Sequence, residues 1–203
     1  MSEQHNENSK EYVIKETRSL WKEVYYWVDC AVVTIVCVIL LFTFVFRQVQ
    51  IDGSSMSNTL EHGDRVIISD VFYTPKRGDV VVVSSEIYDN VPIIKRVIAT
   101  EGQWVNITGG KVYVGESTDA MELLYESYIG GMQTDELVAG GFYGTQKYPL
   151  QVPEGKVFLL GDNRAVSLDS RTTAIGLVDE RYIVGKAIFR VYPFDKIGSI
   201  FGD

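Results

Sequence analysis

The chain has 203 residues and a formal net charge of −8, and 46% of its residues are hydrophobic. That composition excludes a disordered chain, and the acidic balance excludes nucleic acid as a partner, because phosphate binding needs clustered Lys and Arg. Two Cys, at 30 and 37, and two His, at 5 and 62, are too few for a disulfide framework, a thiolate metal cluster or a His-based catalytic zinc site.

Residues 1–23 read as a polar tail. Residues 30–46 (CAVVTIVCVILLFTFVF) then run for seventeen positions without a charge. At ~1.5 Å per residue that run spans ~26 Å, and Val24, Tyr25, Tyr26, Trp27 and Val28 extend it with an aromatic interface belt toward the ~30 Å hydrocarbon core. The segment 24–46 is therefore expected to be a transmembrane anchor. A buried core helix is the bland alternative, but many β-branched residues and no polar face suit lipid better. A cleaved signal peptide is disfavoured because RQVQ follows where a small-x-small site belongs. Four Lys/Arg lie in the twenty residues before Cys30 and two in the twenty after Phe46, which places the N-terminus in the cytoplasm and the bulk of the chain on the outer face of the plasma membrane.

Beyond the anchor, residues 47–203 change texture. Short β-branched runs at 65–69, 79–84, 93–100, 104–107, 111–114, 156–160 and 182–192 are separated by Gly, Pro, Asn and Asp, and Thr108-Gly109-Gly110 reads as a hairpin turn. Only residues 119–129 carry a helical pattern, and residues 130–144 read as an exposed Gly-rich loop. The fold class is mostly β: one N-terminal transmembrane helix followed by a compact antiparallel, partly closed sheet.

Three segments carry polar chemistry against that background. Residues 51–60 (IDGSSMSNTL) place serines in a tight turn, where Ser55 can present both its hydroxyl and its own N–H to a carbonyl. Alone, this also reads as a Ser-rich linker leaving a membrane. Residues 93–98 (IIKRVI) put Lys95 on the strand face opposite Ile94 and Arg96, either exposed or as a desolvated amine able to act as a base. Residues 161–171 (GDNRAVSLDSR) pack two acids, two Arg, one Asn and two Ser behind an apolar strand, in the manner of a hydrogen-bonded loop.

In this order, behind a single anchor, the three segments resemble the bacterial type I signal peptidases of the Ser/Lys class. Residues 63–67 (GDRVI) and 77–81 (RGDVV) match the intervening boxes, and the absence of a large insertion across 115–150 matches the compact form typical of Gram-positive members. The resemblance implies a membrane-bound serine endopeptidase that removes N-terminal signal peptides from exported preproteins, cutting after small residues in an Ala-x-Ala pattern. Ser55 is then the nucleophile and Lys95 the general base, with no histidine needed. Ser167 matches the hydroxyl that orients the lysine. Asp162 with Arg96, and Asp169 with Arg171, match two supporting ion pairs.

The Ser55 N–H is implied as one oxyanion donor. The position two residues earlier is Gly53 rather than a serine, which leaves the Gly53 N–H or a water as the second. Asn58 stands where the family commonly has Pro, and reads as a tolerated turn residue. Val49, Ile51, Ile93 and Ile94 are expected to line shallow pockets for small substrate side chains, with the peptide held by strand addition.

The expected partners are signal peptides of preproteins, membrane phospholipid and the protein-export channel, and no cofactor or metal is called for. Ser55 lies nine residues past Phe46, at most ~32 Å away, which suits a substrate that is itself held in the membrane. A catalytically dead, signal-peptide-binding relative is the main alternative, and the presence of Ser55, Lys95 and Ser167 together counts against it. A repressor-type autoprotease needs an N-terminal DNA-binding domain, and a sortase needs a catalytic Cys outside the anchor.

Overall fold

A computed structural model of the chain describes residues 2–84, 86, 91–135 and 145–200, the side chains of 2–19 and 44 excepted. Two compact units appear, Met1–Val45 and Phe46–Asp203.

The first unit is one helix, α1 (Ser2–Phe44). Its stretch Leu20–Thr43 has a mean hydropathy of 2.3, and none of it is buried by protein, which removes the core-helix reading. Thr34 and Thr43 donate their hydroxyls to the carbonyls of Cys30 and Ile39, so these polar groups are satisfied within the helix. The helix ends two residues before the expected Phe46. It also continues through the described part of the polar tail.

The second unit is antiparallel β throughout. Its strands are β1 (Arg47–Gln50), β2 (Arg65–Ser69), β3 (Val80–Val83), β4 (Ile93–Ala99), β5 (Trp104–Thr108), β6 (Lys111–Gly115), β7 (Met121–Leu123), β8 (Leu150–Gln151), β9 (Lys156–Leu160), β10 (Val178–Asp179), β11 (Ile183–Tyr192) and β12 (Gly198–Ser199). A large sheet has the order β1-β2-β11-β3-β4-β9-β10, with β12 on β11; a small one has the order β7-β6-β5-β8. β3 is buried on both faces. Val80 and Val82 enter one core cluster with Met56, Leu60 and Ile94, while Val81 and Val83 enter another with Val97 and Leu159. The alternation of a strand thus explains why VVVV shows no polar face. The third cluster, with Ile98, Val105, Val112 and Phe158, joins the two sheets.

The hairpin between β5 and β6 turns at Gly109 and Gly110, both at positive φ (58° and 76°), as a tight two-residue turn between twisted strands requires. The helix expected over residues 119–129 does not form. Met121 and Leu123 pair with Gly115 and Tyr113 of β6, and a single 3-10 turn at Ser127–Ile129 follows. Cross-strand pairing here overrides local periodicity. Of the expected loop, residues 130–135 carry no regular element and 136–144 lie outside the described residues. Near the C-terminus Ile200 is buried in the first cluster, whereas Phe194 and Ile197 are exposed.

Candidate active site

The turn carrying Ser55 is fixed at both ends. The Ile51 N–H donates to the Asp64 carbonyl (2.8 Å) and the Gly63 N–H to the Ile51 carbonyl (2.9 Å), while Met56 and Leu60 sink into the core. These buried residues flank Ser55 and hold its hydroxyl toward β4. From there the Lys95 amine donates to Ser55 Oγ (2.8 Å) and to the Ile94 carbonyl (2.9 Å). Lys95 is only 3% exposed. Burial pushes its amine down to about 8, while the carboxylates of Asp169 and Asp162 pull in the opposite direction. The exposed-face alternative for Lys95 therefore does not hold.

The polar loop 161–171 closes over the same turn. The Asn163 N–H donates to the Ser55 carbonyl (3.0 Å) and its side-chain amide to the Ser54 carbonyl (3.1 Å). Arg96 forms a bidentate pair with Asp162 (Nε 2.8 Å, Nη2 2.6 Å), and its Nη1 donates to the Gly78 carbonyl (2.7 Å). Thr59, on the Ser55 turn, donates to Asp162 and accepts from Arg96 Nη2. Arg171 is bidentate on Asp169 (2.8 and 3.0 Å), and Asp169 Oδ2 also accepts the Gly161 N–H (3.1 Å). These four charged side chains are essentially inaccessible. Each partner compensates a charge that is otherwise costly to bury.

Several expected roles meet a different geometry. Ser167 is fully buried, but its hydroxyl makes no hydrogen bond, and Lys95 does not donate to it. The Gly53 N–H donates to Nδ1 of His62 (3.3 Å), so the expected second oxyanion donor is already engaged. The Ser55 N–H, by contrast, has no acceptor among the described residues. Ile51 and Ile94 are buried in the first core cluster with Val49 packed against it, whereas Ile93 packs against the cluster of Val81, Val83 and Val97. Neighbours on a strand face opposite sides, so Ile93 and Ile94 do not line one pocket. Asn58 adopts φ 87°, which a proline ring held near −65° cannot reach, so the turn here is not the one a Pro in that position makes.

Sequence reasoning left some residues without a role. Gly161 is one: a Cβ there sits 2.1 Å from Ser167 Oγ and 2.5 Å from the Ser55 carbonyl oxygen. Only glycine allows that approach, and its place directly after an apolar strand was the available signal. Thr59, Asn163 and Arg164 carried no signal of their own, because their partners lie far away in sequence.

A lysine amine bonded to a serine hydroxyl on a β scaffold, with no histidine within the pair, is the arrangement of a serine peptidase of the Ser/Lys kind. Comparison with known proteins gives the family. The family model "Signal peptidase, peptidase S26" matches residues 24–192. Signal peptidase I of Bacillus licheniformis is 32% identical over 174 residues, covering 84% of this chain and 90% of its own. Signal peptidase IB of Staphylococcus aureus is 35% identical over 185 residues, covering 86% and 93%. A crystal structure of a signal peptidase I from Enterococcus faecalis matches at 28% identity and a TM-score of 0.41, covering 56% of this chain and 97% of its own. The chain belongs to the signal peptidase family, peptidase S26.

Proposed function

We propose that this membrane-anchored serine peptidase removes signal peptides from preproteins by means of Ser55 and Lys95. The observation that carries the reading is the 2.8 Å hydrogen bond from a buried Lys95 amine to Ser55 Oγ. The neutral amine takes the hydroxyl proton as Ser55 attacks the scissile carbonyl, then returns it to the leaving amine. The acyl-enzyme is hydrolysed by water activated in the same way. The Ser55 N–H stabilises the oxyanion. Ser167, whose buried hydroxyl lacks a partner, supplies the acceptor that steadies Lys95 once Ser55 is acylated. The ion pairs Arg96–Asp162 and Asp169–Arg171 hold the loop and do no chemistry.

Two open strand edges suit an extended peptide. β9 pairs with β4 only from Arg96 onward, which leaves residues 93–95 unpaired on that side, and β1 ends the sheet. A cut after small residues is supported by the burial of Ile51 and Ile94 in the core rather than in an open pocket. The charge asymmetry around the anchor supports a cytoplasmic tail and a peptidase unit on the outer face of the plasma membrane, and phospholipid and the protein-export channel are the partners proposed with that reading.

The test is cleavage of a preprotein with an Ala-x-Ala site, in detergent with phospholipid, by wild type, Ser55→Ala and Lys95→Ala. Wild type is expected to cut once after the second Ala, and each variant to lose at least ~10³-fold in rate, as residues that act as a unit do. A wild type that binds the preprotein without cutting it would instead indicate a dead relative, and activity retained by Lys95→Ala would remove the dyad.

A further inference from the structure

The stretch between β7 and residue 135 lies outside every box of the peptidase motif, yet it reaches the site from two directions. Both of its ends are pinned to the β5–β6 hairpin: the Leu124 N–H donates to the Val112 carbonyl (2.9 Å) and the Thr134 N–H to the Gly110 carbonyl (2.9 Å). In one direction, the Arg96 guanidinium carbon sits over the Tyr128 ring, 3.9 Å from its centroid. That is the guanidinium that grips Asp162 and touches Thr59 of the nucleophile turn. In the other, Glu126 forms a bidentate pair with the buried Arg164, whose Nε donates to the Gly161 carbonyl (3.0 Å). Gly161 is the residue wedged against Ser55 and Ser167. A hydrogen bond from the Tyr128 hydroxyl to Glu126 Oε1 (2.9 Å) joins the two arms.

Resting on the peptidase reading above, we infer that Tyr128 and Glu126 are positioning residues, a clip by which the small sheet holds Arg96 and Gly161, and through them Ser55 and Lys95, in reactive register. The Tyr128 ring is the central part. The in-plane donors of Arg96 are met by Asp162, Gly78 and Thr59, and the Tyr128 ring packs against the face of the guanidinium, where it resists movement out of the plane. When the ring is lost, Arg96 swings away from Asp162. The uncompensated carboxylate then favours the charged form of Lys95 and misplaces Thr59.

The experiment uses the full chain in detergent with phospholipid and the same Ala-x-Ala preprotein, measuring kcat and KM separately across pH for wild type, Tyr128→Phe and Tyr128→Leu, with Ser55→Ala as control. Tyr128→Leu is expected to lose about tenfold or more in kcat with KM little changed, and its acid limb to move by about half a pH unit or more to higher pH. Tyr128→Phe keeps the ring and is expected to restore the wild-type limb and kcat to within about threefold. An unmoved acid limb in Tyr128→Leu overturns the proposal, because a merely structural residue lowers the yield of active enzyme without shifting that limb. Should Tyr128→Leu not be recovered folded, Tyr128→Met, which fills the space with a flexible chain, carries the same two outcomes. Cleavage that survives Ser55→Ala overturns the assignment of Ser55 as nucleophile, and the clip with it.

Discussion

On the proposed Ser55/Lys95 mechanism the amine must be neutral to take the hydroxyl proton, and burial pushes it down to about 8, well under the usual lysine range. At pH 7 about a tenth of the enzyme then carries a neutral amine, and at pH 9 about nine tenths. The acid limb of kcat/KM is accordingly expected near pH 8, with activity rising tenfold per unit below it, which a pH–rate profile checks directly. Gly161 sets a second constraint at this scale. Gly161→Ala places a methyl group within 2.5 Å of both Ser167 Oγ and the Ser55 carbonyl oxygen, and the latter is backbone that cannot rotate away. With Ser55 as the proposed nucleophile, it is expected to cost about 100-fold in kcat, as a misplacement of about 1 Å does, in a protein that still folds by circular dichroism.

The turn carrying Ser55 has a backbone that proline cannot adopt. Asn58 sits at φ 87°, tolerable for Asn and impossible for Pro. Asn58→Pro is expected to lower kcat/KM by about tenfold or more, whereas Asn58→Gly is expected to stay within about threefold of wild type, in the same cleavage assay. The loop 161–171 depends as strongly on its internal pairing. Asp169 holds Arg171 and the Gly161 N–H together, both out of water. Asp169→Asn leaves the Arg171 charge buried without its counter-ion and is expected to destabilise the fold by about 3–5 kcal/mol, measurable by denaturant titration.

Over the whole molecule, the peptidase unit carries a stability cost for its chemistry. The lowered Lys95 amine means that the unfolded chain binds the proton more tightly than the folded one. Stability therefore rises with pH between about 8 and the ordinary lysine value, and the penalty is complete below that window. Lys95→Met, apolar and of similar length, is expected to gain about 3 kcal/mol at neutral pH and to lose that gain as pH approaches 10.5, readable as a difference in melting temperature across pH.

What the sequence by itself determined is whatever local pattern encodes. The uncharged run after residue 29 reads as an anchor because length and hydropathy suffice. The runs RVIIS, IIKRVIA and KVFLL read as strands because β-branched alternation between turn residues suffices, and the Ser55 and Lys95 segments stood out by type and order. Only the tertiary structure decided what distance in sequence conceals. Ser55 meets Lys95 across 40 positions, Arg96 meets Asp162 across 66, and Ser54 meets Asn163 across 109. The two-residue strands β8, β10 and β12 exist because longer strands offer them partners, and residues 119–129 abandoned a helical pattern for the edge of β6. Whether Ile93 or Ile94 faces the site, which acceptor the Gly53 N–H finds, and why a glycine follows KVFLL are likewise matters of side-chain direction and close approach. No local propensity carries these, because the free energy that fixes them comes from contacts made only once the chain has closed on itself.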